Sequence, residues 1–265
     1  LTQIPAQKAA QLAFSWVFGY RTITRNPPSG QQQRGHDMAN SAAIAQTALD
    51  YIRSRMEKAR RRFGAPPEKV ELVAVSKTFS AEEIEPFLMA GQRVFGENRV
   101  QEAKDKWPGL KEKYPDTELH LIGPLQTNKA RDAVALFDVI QSVDRDKLAG
   151  ILSEEMKRAE RQLPCYVQVN IGGEEQKAGI AIGETVNFVR HCRQVHGLNV
   201  VGLMCIPPEG QPAGPYFAHL AELGRAAGVE NLSMGMSGDF DTAIAMGATQ
   251  VRVGSALFGR RLSAV

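Results

Sequence analysis

Eight runs of β-forming residues lie between Leu72 and Val253, and seven of them are followed by a helix-forming stretch before the next run begins. Strands joined by crossovers of that length pair in parallel, and the crossover helices must then pack on the sheet and cover it. The predicted strands are 72–77, 93–97, 119–123, 139–143, 165–171, 200–206, 232–234 and 250–253. The predicted helices are 99–106, 128–136, 146–161, 183–195, 215–227 and 239–246, with one more from Ala81 to a stop at Gly91. Eight such units in this length predict a single (β/α)8 barrel. An open doubly wound sheet is the rival, and it would carry a glycine-rich dinucleotide turn after its first strand. That turn reads Lys77-Thr78-Phe79-Ser80 instead. Ser80 and Glu83 form a capping box for the helix that follows, and Pro86 within it predicts a kink.

Ahead of the barrel, Ile44, Ala48, Ile52 and Met56, with Leu49 between them, recur at helical spacing and predict an extra N-terminal helix over 42–62. Arg53, Arg55, Lys58, Arg60, Arg61 and Arg62 lie mostly off that stripe and read as a solvated face rather than a nucleic-acid surface. Residues 1–36 contain no acidic residue, and the composition changes at Asp37. A targeting segment has that character, and so does an upstream extension ahead of Met38. The expected division is an N-terminal extension over 1–37, disordered or foreign to the native protein, and a barrel over 38–265.

At 265 residues, 43% hydrophobic and 23% charged, the chain can bury a full core. A formal net charge of +3 argues against a general nucleic-acid or membrane partner, and no apolar run approaches bilayer length. Cys165, Cys192 and Cys205 have neither disulfide nor metal-ligand spacing, so a reducing, cytoplasmic setting and no metal are expected.

In such a barrel the chemistry belongs at the carboxyl ends of the strands. Lys77 ends the first run at the parity of Val73 and Val75, which predicts an inward lysine whose desolvated amine can form an imine with a carbonyl. A strand-end lysine with its head in water is the alternative. Phosphate is commonly held by the loops after the seventh and eighth strands, where this chain has Gly235-Met236-Ser237-Gly238 and Gly254-Ser255. Glycines let backbone amides approach an oxyanion, and Ser237 and Ser255 add hydroxyl donors. Arg252 precedes Gly254 by two residues. Facing a ring nitrogen it can only donate, so that nitrogen stays unprotonated; a salt-bridged surface arginine is the alternative. An imine-forming lysine, a phosphate cradle and a donor for a ring nitrogen together match pyridoxal 5′-phosphate.

The motifs VAVSK at 73–77, FGENRVQEA at 95–103, HLIGPLQTNKAR at 120–131, GLMCIPP at 202–208 and LSMGMSGDFDTAIAMGATQVRVGSALFG at 232–259 carry a family likeness. From about residue 42 onward the chain resembles the pyridoxal-phosphate homeostasis protein family, whose members are single barrels similar to the N-terminal domain of alanine racemase. The resemblance implies that Lys77 carries the cofactor as an imine and that Ser237, Gly254 and Ser255 hold the phosphate, with Met236 also among the cofactor-binding residues. It further implies that Arg252 faces the pyridine nitrogen and that Asn98 lines the pocket. His120 reads as a satisfied core histidine. Gln126, Thr127, Asn128 and Lys129 either line the pocket or cap the next helix. Ala178 stands where family members often have a more polar residue.

Racemisation on this cofactor needs acid/base groups on both faces of the substrate Cα. In alanine racemase one of them is a tyrosine of a C-terminal domain, which a chain ending at Val265 is not expected to carry. None of Tyr20, Tyr51, Tyr114, Tyr166 and Tyr216 falls in an obvious loop at the mouth. The resemblance thus implies a cytoplasmic, monomeric protein that buffers pyridoxal phosphate or delivers it to apoenzymes, and so affects amino-acid and keto-acid metabolism, with no catalytic residues. The enzyme alternatives are a racemase-like activity on a minimal barrel, or an aldolase using Lys77 on a phosphorylated sugar.

Overall fold

Eight parallel strands close into one barrel in which each strand pairs with its neighbour in sequence and the last returns to the first. This computed structural model describes residues 30–62 and 69–259, with side chains from 38 onward. The helix α1 (Gly30–Arg62) comes first. Then β1 (Glu71–Val75), α2 (Ala81–Met89), β2 (Val94–Glu97), α3 (Val100–Lys113), β3 (Glu118–Leu121), α4 (Ala130–Leu136), β4 (Val139–Val143) and α5 (Asp146–Arg158) alternate. The second half repeats the rhythm with β5 (Pro164–Val169), α6 (Thr185–Gln194), β6 (Asn199–Cys205), α7 (Gly214–Ala227), β7 (Asn231–Ser233), α8 (Phe240–Ala245), β8 (Gln250–Val253) and α9 (Ser255–Phe258). The predicted barrel is the observed one. The short α9 was not among the predicted elements.

One boundary difference has a clear packing cause. The helix predicted to stop at Lys106 runs on to Lys113 as α3, through Pro108 and Gly109, because Trp107 and Leu110 are buried on its inner face. At the start of α2 the capping box is present, with Ser80 N donating to Glu83 Oε2 at 2.7 Å and Glu83 N to Ser80 Oγ at 3.4 Å. That helix continues through Pro86 to Met89.

The helix α1 lies against α2, α8 and α9. Its buried face is Ala45, Leu49, Ile52, Met56 and Ala59, while the predicted Ile44 and Ala48 are only half-buried. It begins at Gly30, so the composition change at Asp37 falls within a helix. Residues 1–29 lie outside the described residues. Several basic side chains of α1 have partners within the fold. Arg55 pairs with Asp241 and lies 4.4 Å from the centre of the Phe240 ring, and Arg53 donates to Gln92. Arg60 and Arg61 hydrogen-bond to Glu57 and hold its carboxyl down at about 2.

The main core fills the space between barrel and helices. Inside the barrel, Val139, Tyr166 and Met204 form a small apolar plug beside a buried polar chain. Ser233 Oγ donates to Gln141 Oε1 at 2.6 Å, Gln141 Nε2 to Gln250 Oε1 at 2.9 Å, and Gln250 Nε2 to Glu71 Oε2 at 2.6 Å. His120, fully buried, sits between Gln141 at 2.7 Å and Glu118 at 2.6 Å. It is the satisfied core histidine that the sequence suggested. All three cysteines are buried and unpaired, and burial pushes their thiols up to about 12. No helix among the described residues is long and apolar enough to cross a membrane.

Candidate functional site at the barrel mouth

Lys77 does not belong to the strand that leads to it. β1 ends at Val75, and Lys77 lies exposed in a turn over Ser76 to Phe79, closed by Phe79 N donating to Ser76 O at 3.2 Å. The expectation of a lysine desolvated within the strand is therefore corrected: the strand ends two residues earlier, and the amine stands at the open rim. The next residue, Thr78, has φ +68°, a left-handed conformation in which a β-branched side chain is strained. Type II turns place glycine or asparagine at this third position. Such strain persists only where the surroundings over-determine the backbone.

Those surroundings come from β2 and α3. Lys106 Nζ donates to the carbonyls of Ser76 at 2.9 Å and Phe79 at 3.0 Å, which bracket the turn, and also to Glu102 at 2.9 Å. Glu102 in turn accepts from Thr78 N. Lys106 also pairs with Glu97 at 2.9 Å, where the carboxylate is fully buried and Oε1 accepts from Ser76 Oγ at 2.6 Å and Trp107 Nε1 at 3.1 Å. Burial pushes Glu97 above the usual carboxylate range despite the lysine, and its Oε2 has no partner among the described residues. Burial also pushes Glu102 up, but Lys106 and the Thr78 amide outweigh it and hold that carboxyl low.

The other side of the mouth is built from backbone. Gly235 has φ +92°, and a Cβ there would lie 2.5 Å from Ala243 Cβ, so only glycine fits. Arg252 N bonds to Gly235 O at 3.0 Å, tying the loop after β7 to β8. Ala74 is registered opposite Val253, so Gly254 meets the end of β1; a Cβ at 254 would sit 3.3 Å from both Val75 Cβ and Val75 O. The amides of Gly254 and Ala256 both point at Ser237 Oγ, at 3.3 and 3.4 Å. Ser237 is half-buried and Ser255 exposed. Converging amides and a hydroxyl are what an oxyanion requires. Met236 fits less simply: its amide donates to Asp239 Oδ1 at 2.6 Å and would have to leave that carboxylate to reach an anion.

Arg252 is not the surface arginine of the alternative reading. It is 4% exposed inside the barrel, registered beside Val73 of β1, and donates to Ser233 Oγ at 2.7 Å and Cys205 O at 2.8 Å. No carboxylate pairs with it among the described residues, and burial pulls it below the usual guanidinium range. A buried cation without an anion is costly, and guanidinium has five N–H donors. Those not used by Ser233 and Cys205 are free to meet a ligand lone pair.

Asn98 follows β2 and is half-buried. Gly123 lets it approach, since a Cβ at 123 would fall 2.3 Å from Asn98 O. Lys129 lies in the short 3-10 turn before α4, and Lys177 donates to Pro207 O at 3.2 Å and pairs with Glu174 at 2.5 Å. The clamp of Glu97, Glu102 and Lys106 and the Ser233 contact to Arg252 were not singled out from sequence. Glu102 and Lys106 are an i,i+4 pair on α3, but the turn they hold lies 24 to 30 residues away and Ser233 lies 19 residues from Arg252, so no local pattern marks either contact.

Residues 47–261 match the family model of the alanine racemase N-terminal domain. The pyridoxal phosphate homeostasis protein of Vibrio cholerae is 40% identical over 227 residues, 82% of this chain and 96% of that protein. Its namesake in Escherichia coli K12 is 38% identical over 224 residues, 80% of this chain and 95% of that protein. The structure of PipY from Synechococcus elongatus with pyridoxal phosphate bound superposes with a TM-score of 0.70 at 38% identity, covering 81% of this chain and all of that one. An alanine racemase of Clostridium difficile shares the fold alone, with a TM-score of 0.59 at 13% identity, over 82% of this chain and 58% of its own.

Proposed function

Because the chain belongs to the pyridoxal phosphate homeostasis protein family, we propose that it binds pyridoxal 5′-phosphate at the barrel mouth and buffers or delivers it without catalytic turnover. The observation that carries this reading is Arg252, buried with no carboxylate partner among the described residues, on the strand next to β1 and beside the glycine-bearing turns. These residues fit the cofactor. The amides of Gly254 and Ala256 with the hydroxyls of Ser237 and Ser255 hold the phosphate, and Met236 contributes where its amide leaves Asp239. Arg252 donates to the pyridine nitrogen and keeps it unprotonated, which weakens the ring as an electron sink. Lys77 supplies the amine for covalent attachment, and Asn98 lines the side between β2 and β3. Bound there, the cofactor supplies an aldehyde that condenses with amines.

The binding unit is residues 38–265. It acts as a cytoplasmic monomer, with the buried thiols supporting a reducing compartment, and recipient apoenzymes are its partners. Titration with pyridoxal phosphate tests the reading. The wild type is expected to develop the yellow absorbance of a lysine-bound cofactor at one equivalent, and Lys77→Ala to lose it. Holoprotein incubated with L-alanine in deuterium oxide is expected to show no sustained exchange at Cα; exchange at enzyme-like rates contradicts the carrier reading.

A further inference from the structure

On the outer surface, two imidazoles converge on one carboxylate oxygen. His191 Nε2 lies 2.8 Å and His196 Nε2 2.7 Å from the same atom, Asp146 Oδ1, and the three ligand atoms lie within 4.8 Å of one another. The rings are edge to face, 5.0 Å between centres, so each directs its nitrogen to the shared point without stacking on the other. Asp146 opens α5, His191 stands in the last turn of α6, and His196 lies just beyond it.

The fold holds this arrangement in place. Ser153 Oγ donates to His196 O at 2.5 Å, which fixes the backbone that carries the ring. Gly150 lies under the ring, and a Cβ there would come 3.3 Å from His196 Cε1. Glycine inside a helix costs about 1 kcal/mol relative to alanine, so its presence in α5 marks a close approach. The two imidazoles, His196 before His191, hold Asp146 below the usual carboxylate range.

We propose that Asp146, His191 and His196 form a binding site for a divalent transition-metal ion of the zinc class, separate from the cofactor site. Two imidazoles and a carboxylate are a donor set for Zn2+ and its neighbours, with three protein ligands leaving a position for water. Metal bonds of 2.0–2.1 Å in a tetrahedron separate the ligand atoms by roughly 3.3 Å, so the contacts to Asp146 open by only about half an ångström. Each ring then carries its proton on Nδ1 and presents the Nε2 lone pair. The second such trio, Glu71, Glu118 and His120, is a poorer site because both nitrogens of the buried His120 are committed to Glu118 and Gln141.

Calorimetric titration of the chelator-stripped full chain with ZnCl2, paired with Co2+ absorption, tests the proposal. The expected result is one ion per chain with visible cobalt bands of low coordination number. His191→Gln or His196→Gln keeps a donor to Asp146 and is expected to weaken binding at least about tenfold, since even outer partners of a metal cost that much when lost. The double substitution is expected to remove the stoichiometric event while leaving the circular dichroism unchanged. Absence of stoichiometric binding by the wild type, or undiminished binding by the double variant, overturns the site.

Discussion

On the β1 side of the mouth the backbone is held by side chains that reach in from β2 and α3; on the side of β7 and β8 it is held by the absence of side chains. Lys106, Glu97 and Glu102 grip the turn that presents Lys77, and Thr78 stays in a left-handed conformation under that grip. Across the mouth, Gly235 and Gly254 let backbone meet backbone, and the amides they release converge on Ser237. A reactive amine has to be aimed through a flexible side chain, which makes a firm base useful. An oxyanion needs several donors close together, and peptide groups supply them without rotamer entropy.

Breaking the β1 side has the largest expected effect. Lys106→Ala leaves Glu97 buried without its cation and releases both turn carbonyls, so a loss of about 3–5 kcal/mol is expected in denaturant unfolding. Retained stability together with retained cofactor affinity would show that side chains do not hold this side. Gly235→Ala strikes the opposite side. With φ at +92° and 2.5 Å to Ala243 Cβ, about 2–4 kcal/mol of strain and overpacking is expected, alongside weaker phosphate binding. If the alanine protein binds inorganic phosphate and pyridoxal phosphate as the wild type does, the glycine is structural only.

The smallest effect sharpens the contrast by its sign. Thr78→Gly relieves a left-handed β-branched residue, worth about 1–3 kcal/mol, against a glycine cost of about 0.5–1 kcal/mol, so a gain near 1 kcal/mol is expected. Cofactor affinity is expected to fall severalfold at the same time, because the turn under Lys77 loosens. A stability loss with unchanged affinity would separate the strain at Thr78 from the placement of the amine.

The same contrast explains what could be read from the chain. Glycine and serine turns at Gly235–Gly238 and Gly254–Ser255 are local, and strand alternation announces a barrel whose geometry puts those turns side by side. Lys77 was visible as a residue type at a strand end, but its true position was not: β1 stops at Val75, and the turn depends on Lys106 and Glu102, about thirty and twenty-five residues away. Arg252 was legible as a donor but not as a buried cation, because its partners Ser233 on β7 and Cys205 at the end of β6 come from elsewhere in the chain. The buried face of α1 was legible at Leu49, Ile52 and Met56, whereas Ile44 and Ala48 are only half-buried and Ala45 takes the inner position, because an alanine-rich helix offers two neighbouring stripes and contact with α2 and α8 selects between them. The Asp146, His191 and His196 group was not singled out, since Asp146 on α5 lies 45 and 50 residues from the histidines at and beyond the end of α6.

The exposed amine of Lys77 on the β1 turn is the one expected to take the cofactor. Borohydride reduction of the pyridoxal phosphate-loaded protein, followed by peptide mass mapping, tests it directly. A single pyridoxyl modification on Lys77 is the predicted result. Modification at Lys129 or Lys177 with Lys77 untouched, or no fixed label at all, contradicts it.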